Sequence, residues 1–153
     1  MTSMKRLRIA ALTLLLTAAM PVVSAESETL KVYLTPQCGC CSAWVDHMRD
    51  EGFEVDAREV DQQELNRIKV DAGLSRELAS CHTAVVDGYI IEGHVPAADV
   101  RRLLDERPDV DGIAVPGMPI GSPGMEMGDR QDPYDVVTFV DGERGDVFAS
   151  HHQ

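Results

Sequence analysis

The sequence predicts a mixed α/β fold. Two observations carry the expectation. Hydrophobic periodicity switches between strand and helix spacing in the order β-α-β-α-β-β-α. A Cys-x-x-Cys, Cys38 to Cys41, also falls at the first strand-to-helix turn, where open α/β folds put their chemistry. With 153 residues, 44% hydrophobic and 26% charged, the chain has the material for one domain with its own core.

Each element has its signal. Leu30-Lys31-Val32-Tyr33-Leu34 alternates and is β-rich, a strand; Thr35-Pro36 and the residues up to Cys40 turn the chain. Cys41, Trp44, Val45 and Met48 lie at i, i+3, i+4, i+7, one apolar face of a helix closed by Gly52 as the C′ residue. Phe53, Val55 and Ala57 alternate with charged residues, a half-buried second strand. Asp61, with Glu64 three residues on, starts a second helix whose inner face is Leu65, Ile68 and Ala72. Thr83 to Val86 and Tyr89 to Glu92 are strands joined by Asp87-Gly88, a strong hairpin signal. A third helix begins near Pro96 and runs through Val100, Leu103 and Leu104 to Arg107-Pro108. A parallel βαβ unit, then an antiparallel hairpin and a helix, is the thioredoxin-like arrangement. Beyond it come a Gly/Pro/Met-rich loop, Val115 to Gly128, and a β-hairpin extension around Asp141-Gly142. The loop repeats itself at seven residues: Pro116-Gly117-Met118 and Pro123-Gly124-Met125.

The N-terminus reads differently. Lys5, Arg6 and Arg8 precede an apolar run from Ile9 to Met20, and Val23-Ser24-Ala25 offers a small-residue cleavage site. This is the pattern of a secretory signal peptide, residues 1–25, and the run is short for a membrane span. Residues 26–153 are then the exported domain, with no stable span after cleavage and a periplasmic location. The whole chain carries a net charge of -12, and the segment removed holds bases only. A nucleic-acid partner would need a basic patch, and none follows the first eight residues.

Export puts Cys38, Cys40, Cys41 and Cys81 where disulfides form. Cys38, at a helix start, should have a lowered pKa. A dithiol oxidoreductase needs Cys38 and Cys41 alone, so Cys40 has no place in that scheme. Two plain disulfides are also open, but pairing Cys40 with Cys81 asks for side chains from different sides of the helix start. Crowded thiols fit soft metal better: thiolates select Cu(I), and clustered Cys can bridge several ions. Zinc would prefer separated Cys-x-x-Cys knuckles, which the chain lacks. In a thioredoxin-like fold the loop before the third strand faces the cysteine turn. There the chain has Cys81-His82 in place of the proline that docks substrate, adding a ligand.

Met48 belongs to a helical core face. Met118, Met125 and Met127 sit in a loop without a regular buried face, and thioethers bind Cu(I). The plain alternative is a loop packed by its own methionines. His47 reads as solvated, His94 as a ligand or a cap, and His151-His152 as an accessory metal site or nothing.

At Cys38-Gly39-Cys40-Cys41, Cys81-His82 and the Pro-Gly-Met repeat, the chain resembles the DUF411 family, which includes an exported copper-resistance protein, over about Leu30 to Ala149. The resemblance implies a thioredoxin-like fold, copper at the cysteine cluster, a role in periplasmic copper handling and redox activity toward copper. The expected protein sequesters Cu(I), as a multinuclear thiolate cluster held by Cys38, Cys40, Cys41, Cys81, His82 and one or more of Met118, Met125 and Met127. Cycling to Cu(II), as a copper-dependent oxidoreductase, is a further expectation. A copper exporter or a periplasmic copper chaperone would be its partner. Two alternatives stay open: a periplasmic thiol–disulfide oxidoreductase using Cys38 and Cys41, and a metallochaperone feeding an export pump through its acidic face.

Overall fold

The computed structural model describes residues 29–153, so the expected signal peptide lies outside the described residues. In chain order the elements are β1 (Leu30–Leu34), α1 (Gly39–Asp50), β2 (Val55–Glu59), α2 (Gln62–Asp71), β3 (Thr83–Val86), β4 (Tyr89–Glu92), α3 (Ala97–Glu106), β5 (Gly112–Ala114), β6 (Tyr134–Val140) and β7 (Glu143–His151). The strands form one seven-stranded sheet in the order β2-β1-β3-β4-β5-β6-β7. β1 is parallel to β2 and β4 to β5; every other neighbouring pair is antiparallel.

Local chemistry explains most boundaries. Leu30, Val32 and Leu34 are buried along β1 while Lys31 is exposed, the period of a half-covered strand. In α1 the expected stripe of Cys41, Trp44, Val45 and Met48 is buried, and Gly52 follows the C-cap at φ +89°. Asp61 caps α2, its Oδ1 accepting the Glu64 N–H at 2.8 Å. Asp87-Gly88 has both residues at positive φ, the type I′ geometry that pins a two-residue hairpin.

Apolar side chains of α1 and α3, Trp44, Val100 and Leu103 among them, pack on Val32, Ile91 and Val136 of the sheet. A smaller cluster sets Leu78 against Ala114, Val137 and Phe139.

Four local expectations need correction. Pro96 is the N-cap of α3, and Ala97 the first helical residue. Ala57 is exposed, because β2 is an edge strand and lacks a second covered face. On α2, Leu65 is fully covered but Ile68 and Ala72 only partly, while Lys69 turns inward to a buried carboxylate. The expected C-terminal hairpin forms as β6 and β7, but β5, a strand outside the expected order, lies between β4 and β6 and joins the hairpin to the main sheet. Three residues are too few for a periodic signal, and β5 opens on Gly112, where a Cβ would stand 1.9 Å from the Ile90 carbonyl oxygen.

Candidate metal centre

Cys38 is the N-cap of α1, and its carbonyl accepts the first helical bonds from the N–H groups of Cys41 at 3.1 Å and Ser42 at 3.2 Å. Three cysteines within this turn therefore face one region. Cys38 and Cys41 are joined in a disulfide, with Cα atoms 5.3 Å apart. Cys40 and Cys81 are free thiols. The Cys40 Sγ lies 3.4 Å from the Cys38 Sγ and 3.9 Å from the Cys81 Sγ. Cys40 and Cys81 thus face each other across the turn, contrary to the expectation from the helix start alone. All four sulfur atoms lie within 4.8 Å of one another.

Cys81 belongs to a second group as well, with His82 and His94. The His94 Nδ1–H donates to the Pro123 carbonyl oxygen at 2.8 Å. A carbonyl can only accept, so the His94 Nε2 carries the lone pair and takes the Cys81 S–H at 3.0 Å. A ligating histidine typically has this outer bond to a carbonyl or carboxylate. The His82 ring is fully buried, its Nδ1 3.5 Å from the Cys81 sulfur, and its Nε2 has no hydrogen-bond partner among the described residues. It packs on Trp44 at 4.4 Å between ring centroids and meets His94 edge-on at 5.0 Å. The Trp44 Nε1–H donates to the Val95 carbonyl oxygen at 2.8 Å.

The electrostatics favour neutral donors. Burial, and then electrostatic coupling to the neighbouring Cys40, push the Cys81 thiol up to about 12. Burial, then His94, then Lys69 hold His82 well below the usual imidazole range. Burial also lowers His94, against the opposing effect of its bond to Pro123. Both rings therefore stay neutral where a free histidine takes a proton. The unfolded chain binds those extra protons, so stability is full above about pH 6.5 and falls as the pH drops below it. Urea unfolding from pH 5 to 7.5 checks this. His82→Gln should flatten the acid slope, and an unchanged slope contradicts the assignment.

Behind the site sits a buried ionic network. Glu92 is fully buried and takes the Lys69 ammonium at 2.5 Å, the Thr83 hydroxyl at 2.7 Å and the Ser80 N–H at 2.6 Å. Lys69 also donates to the Thr83 Oγ1 at 2.8 Å. This network fixes the loop that carries Cys81 and His82.

The Pro-Gly-Met loop closes over the same region. The Ser80 hydroxyl donates to the Gly117 carbonyl, and Pro123 holds His94. At Gly124, φ +84°, a Cβ would stand 2.6 Å from the Cys40 carbonyl oxygen, so glycine alone lets the loop lie on the cysteine turn. Met125 is half-buried, while Met118 and Met127 are 52% and 62% exposed.

The structure thus gathers Cys38, Cys40, Cys41, Cys81 and His82, and adds His94, which the expected ligand set omitted. Its signal is the hairpin register: Thr83 pairs with Glu92, so two positions outward Cys81 stands opposite His94. His47 is half-buried rather than solvated, its Nε2 accepting the Ala97 N–H at 3.3 Å at the start of α3. A surface hollow of about 410 Å³, lined by Leu34, Val45 and Arg49 among others, includes none of the cysteines. The cysteine region is a packed set of donor atoms of the size that suits ions.

Comparison with known proteins points the same way. The family model DUF411, described as a protein of unknown function, matches residues 78–125, from Leu78 through both Pro-Gly-Met copies. Two solved structures are similar along the chain. One, titled "Copper resistance protein copG- Form 2", is 45% identical over 82% of this chain and 99% of its own, with a TM-score of 0.75. The other, titled "Copper resistance protein copG- Form 1", is 44% identical over 82% and 98%, with a TM-score of 0.76. No curated protein sequence matches the chain.

Proposed function

The chain belongs to the DUF411 family, with the copper resistance protein CopG as a relative, and from that premise we propose that it is an exported protein that sequesters Cu(I). The observation that carries the reading is the four sulfur atoms within 4.8 Å of one another, with two neutral imidazoles at one of them. Sulfur donors select Cu(I), and sulfurs this close are best relieved by ions that bridge them. Cys38, Cys40, Cys41 and Cys81 are the primary ligands, with His82 and His94 as nitrogen donors and Met125, the least exposed of the three loop methionines, as the thioether. Met118 and Met127, being exposed, serve capture of the ion rather than its storage. The strand order β2-β1-β3-β4 supports a thioredoxin-like core, and its cysteine turn is the place such a core offers for chemistry. Among the described residues no helix is long and apolar enough to cross a membrane.

Because Cys38 and Cys41 are joined, a dithiol reductant must first open their S–S bond by exchange, giving two thiols here and leaving its own disulfide. Anaerobic Cu(I) titration with metal analysis tests the proposal. The reduced chain should take up several equivalents with thiolate-to-copper absorption, and the oxidised chain fewer. Cys40→Ser should lower the copper count. Recovery of zinc alone from cells given excess copper, or an unchanged count in Cys40→Ser, overturns the reading.

A second reading is a thiol–disulfide oxidoreductase, favoured by the Cys38–Cys41 disulfide at the start of α1. It leaves Cys40 without a role. Reduction of insulin disulfides at a thioredoxin-like rate, with copper uptake unaltered in Cys40→Ser, would replace the first reading with this one. Cycling between Cu(I) and Cu(II), which the nitrogen donors of His82 and His94 would suit, and transfer to an exporter or a chaperone extend the first reading.

A further inference from the structure

The last strand ends at His151 and is followed directly by His152, two histidines that the cysteine centre does not use. We propose that His151 and His152 form a second metal site, for a nitrogen-seeking divalent ion, Cu(II) above all. The proposal is independent of the thiol site.

The rings are built into the fold. In an extended strand, neighbouring side chains point to opposite faces. Here His152 sits at φ +55°, and the turn brings both rings onto Tyr134, with centroids 5.0 Å and 5.7 Å away. His151 is stacked on that ring at 22°. Each imidazole has one nitrogen committed to an acceptor. The His151 Nε2–H donates to the Asp99 Oδ2 at 2.7 Å, from the buried side of the first turn of α3. The His152 Nε2–H donates to the Gly121 carbonyl oxygen at 3.3 Å. An acceptor at Nε2 places the proton there, so in the neutral ring Nδ1 carries the lone pair. Both histidines are therefore set in the same tautomer, and neither Nδ1 is engaged by the bonds that hold its ring.

The spacing suits one shared ion. Metal–nitrogen bonds of about 2 Å put the centroids of two rings on opposite sides of an ion roughly 6 Å apart. The observed separation is 6.4 Å, with 60° between planes. A carboxylate behind a ligating histidine is the usual means of fixing its tautomer and orienting its ring, and Asp99 stands in that place. Imidazole suits Zn, Ni and Cu, and Cu(II) heads the affinity order of divalent ions.

The test uses the untagged chain with the Cys38–Cys41 disulfide intact and its free thiols alkylated, so that the cysteine centre is closed. Cu(II) alone is titrated in, followed by calorimetry and electron paramagnetic resonance. One equivalent should bind with hyperfine structure from two nitrogens. His152→Gln should weaken it at least tenfold, and His151→Phe, which keeps a ring on Tyr134, should do the same. Asp99→Ala should weaken it about tenfold or more as a positioning change, with the resonance parameters shifted. Equal affinity in the His151→Phe/His152→Gln double variant, or a spectrum without nitrogen coupling, overturns the site. Failure here leaves the Cu(I) reading standing, and failure of the Cu(I) titration leaves this site standing.

Discussion

Glu92→Ala should cost the fold about 3–5 kcal/mol, the usual loss when one member of a buried ion pair is removed. Glu92 is fully buried and the Lys69 side chain is 11% exposed, so the ammonium left behind has little access to water. The Ser80 N–H and the Thr83 hydroxyl lose the same acceptor. Such a loss is a large share of the 5–15 kcal/mol that holds a typical domain together. Glu92→Gln keeps the shape and an acceptor oxygen and should recover part of it. Replacing both partners, Lys69→Met with Glu92→Leu, should restore stability further, because no charge is left buried. Urea unfolding of the three variants at pH 7 checks the series. A Glu92→Ala loss below about 1 kcal/mol, the level of an exposed pair, would contradict it.

Cys81→Ser should weaken Cu(I) binding more than any other single cysteine change. Cys81 is the sulfur shared by the four-cysteine group and the Cys81–His82–His94 group, so its removal separates the nitrogen donors from the remaining sulfurs. Loss of an outer partner typically costs roughly 10–100-fold in metal affinity, and loss of a shared ligand should exceed that. Serine can still donate to the His94 Nε2, so unfolding should shift by only about 1 kcal/mol. Competition of the reduced chain against a Cu(I) chelator measures the effect. Affinity within threefold of the parent would remove Cys81 from the ligand set.

Much of this was legible in the residues, for identifiable reasons. The face of α1 is legible because Cys41, Trp44, Val45 and Met48 repeat at helical spacing. The hairpin is legible because Asp-Gly tolerates positive φ at both positions. His94 was within reach: a two-residue turn fixes the register, and the register sets His94 opposite Cys81. Other features depend on tertiary packing. The meeting of Cys40 with Cys81 depends on how the first turn of α1 is rotated toward the β3 loop. Lys69 on the inner face of α2 breaks the binary pattern, and only its partner Glu92 explains it. The Pro-Gly-Met loop has no periodicity, so its seat over the cysteine turn rests on single contacts, at Pro123 and Gly124.

Trp44 is the chain's one tryptophan, buried with its indole against His82 and tied to the residue after His94. The molecule thus carries its own optical probe in the wall of the metal centre. Indole emission from so dry a site lies toward the blue, and an ion bound to the adjacent sulfurs and imidazoles quenches it at contact range. Successive additions of copper can therefore be followed by light alone, without a label or a competing dye. A titration step that darkens the emission reports ions entering among the cysteines, and a step that leaves it bright reports ions bound elsewhere.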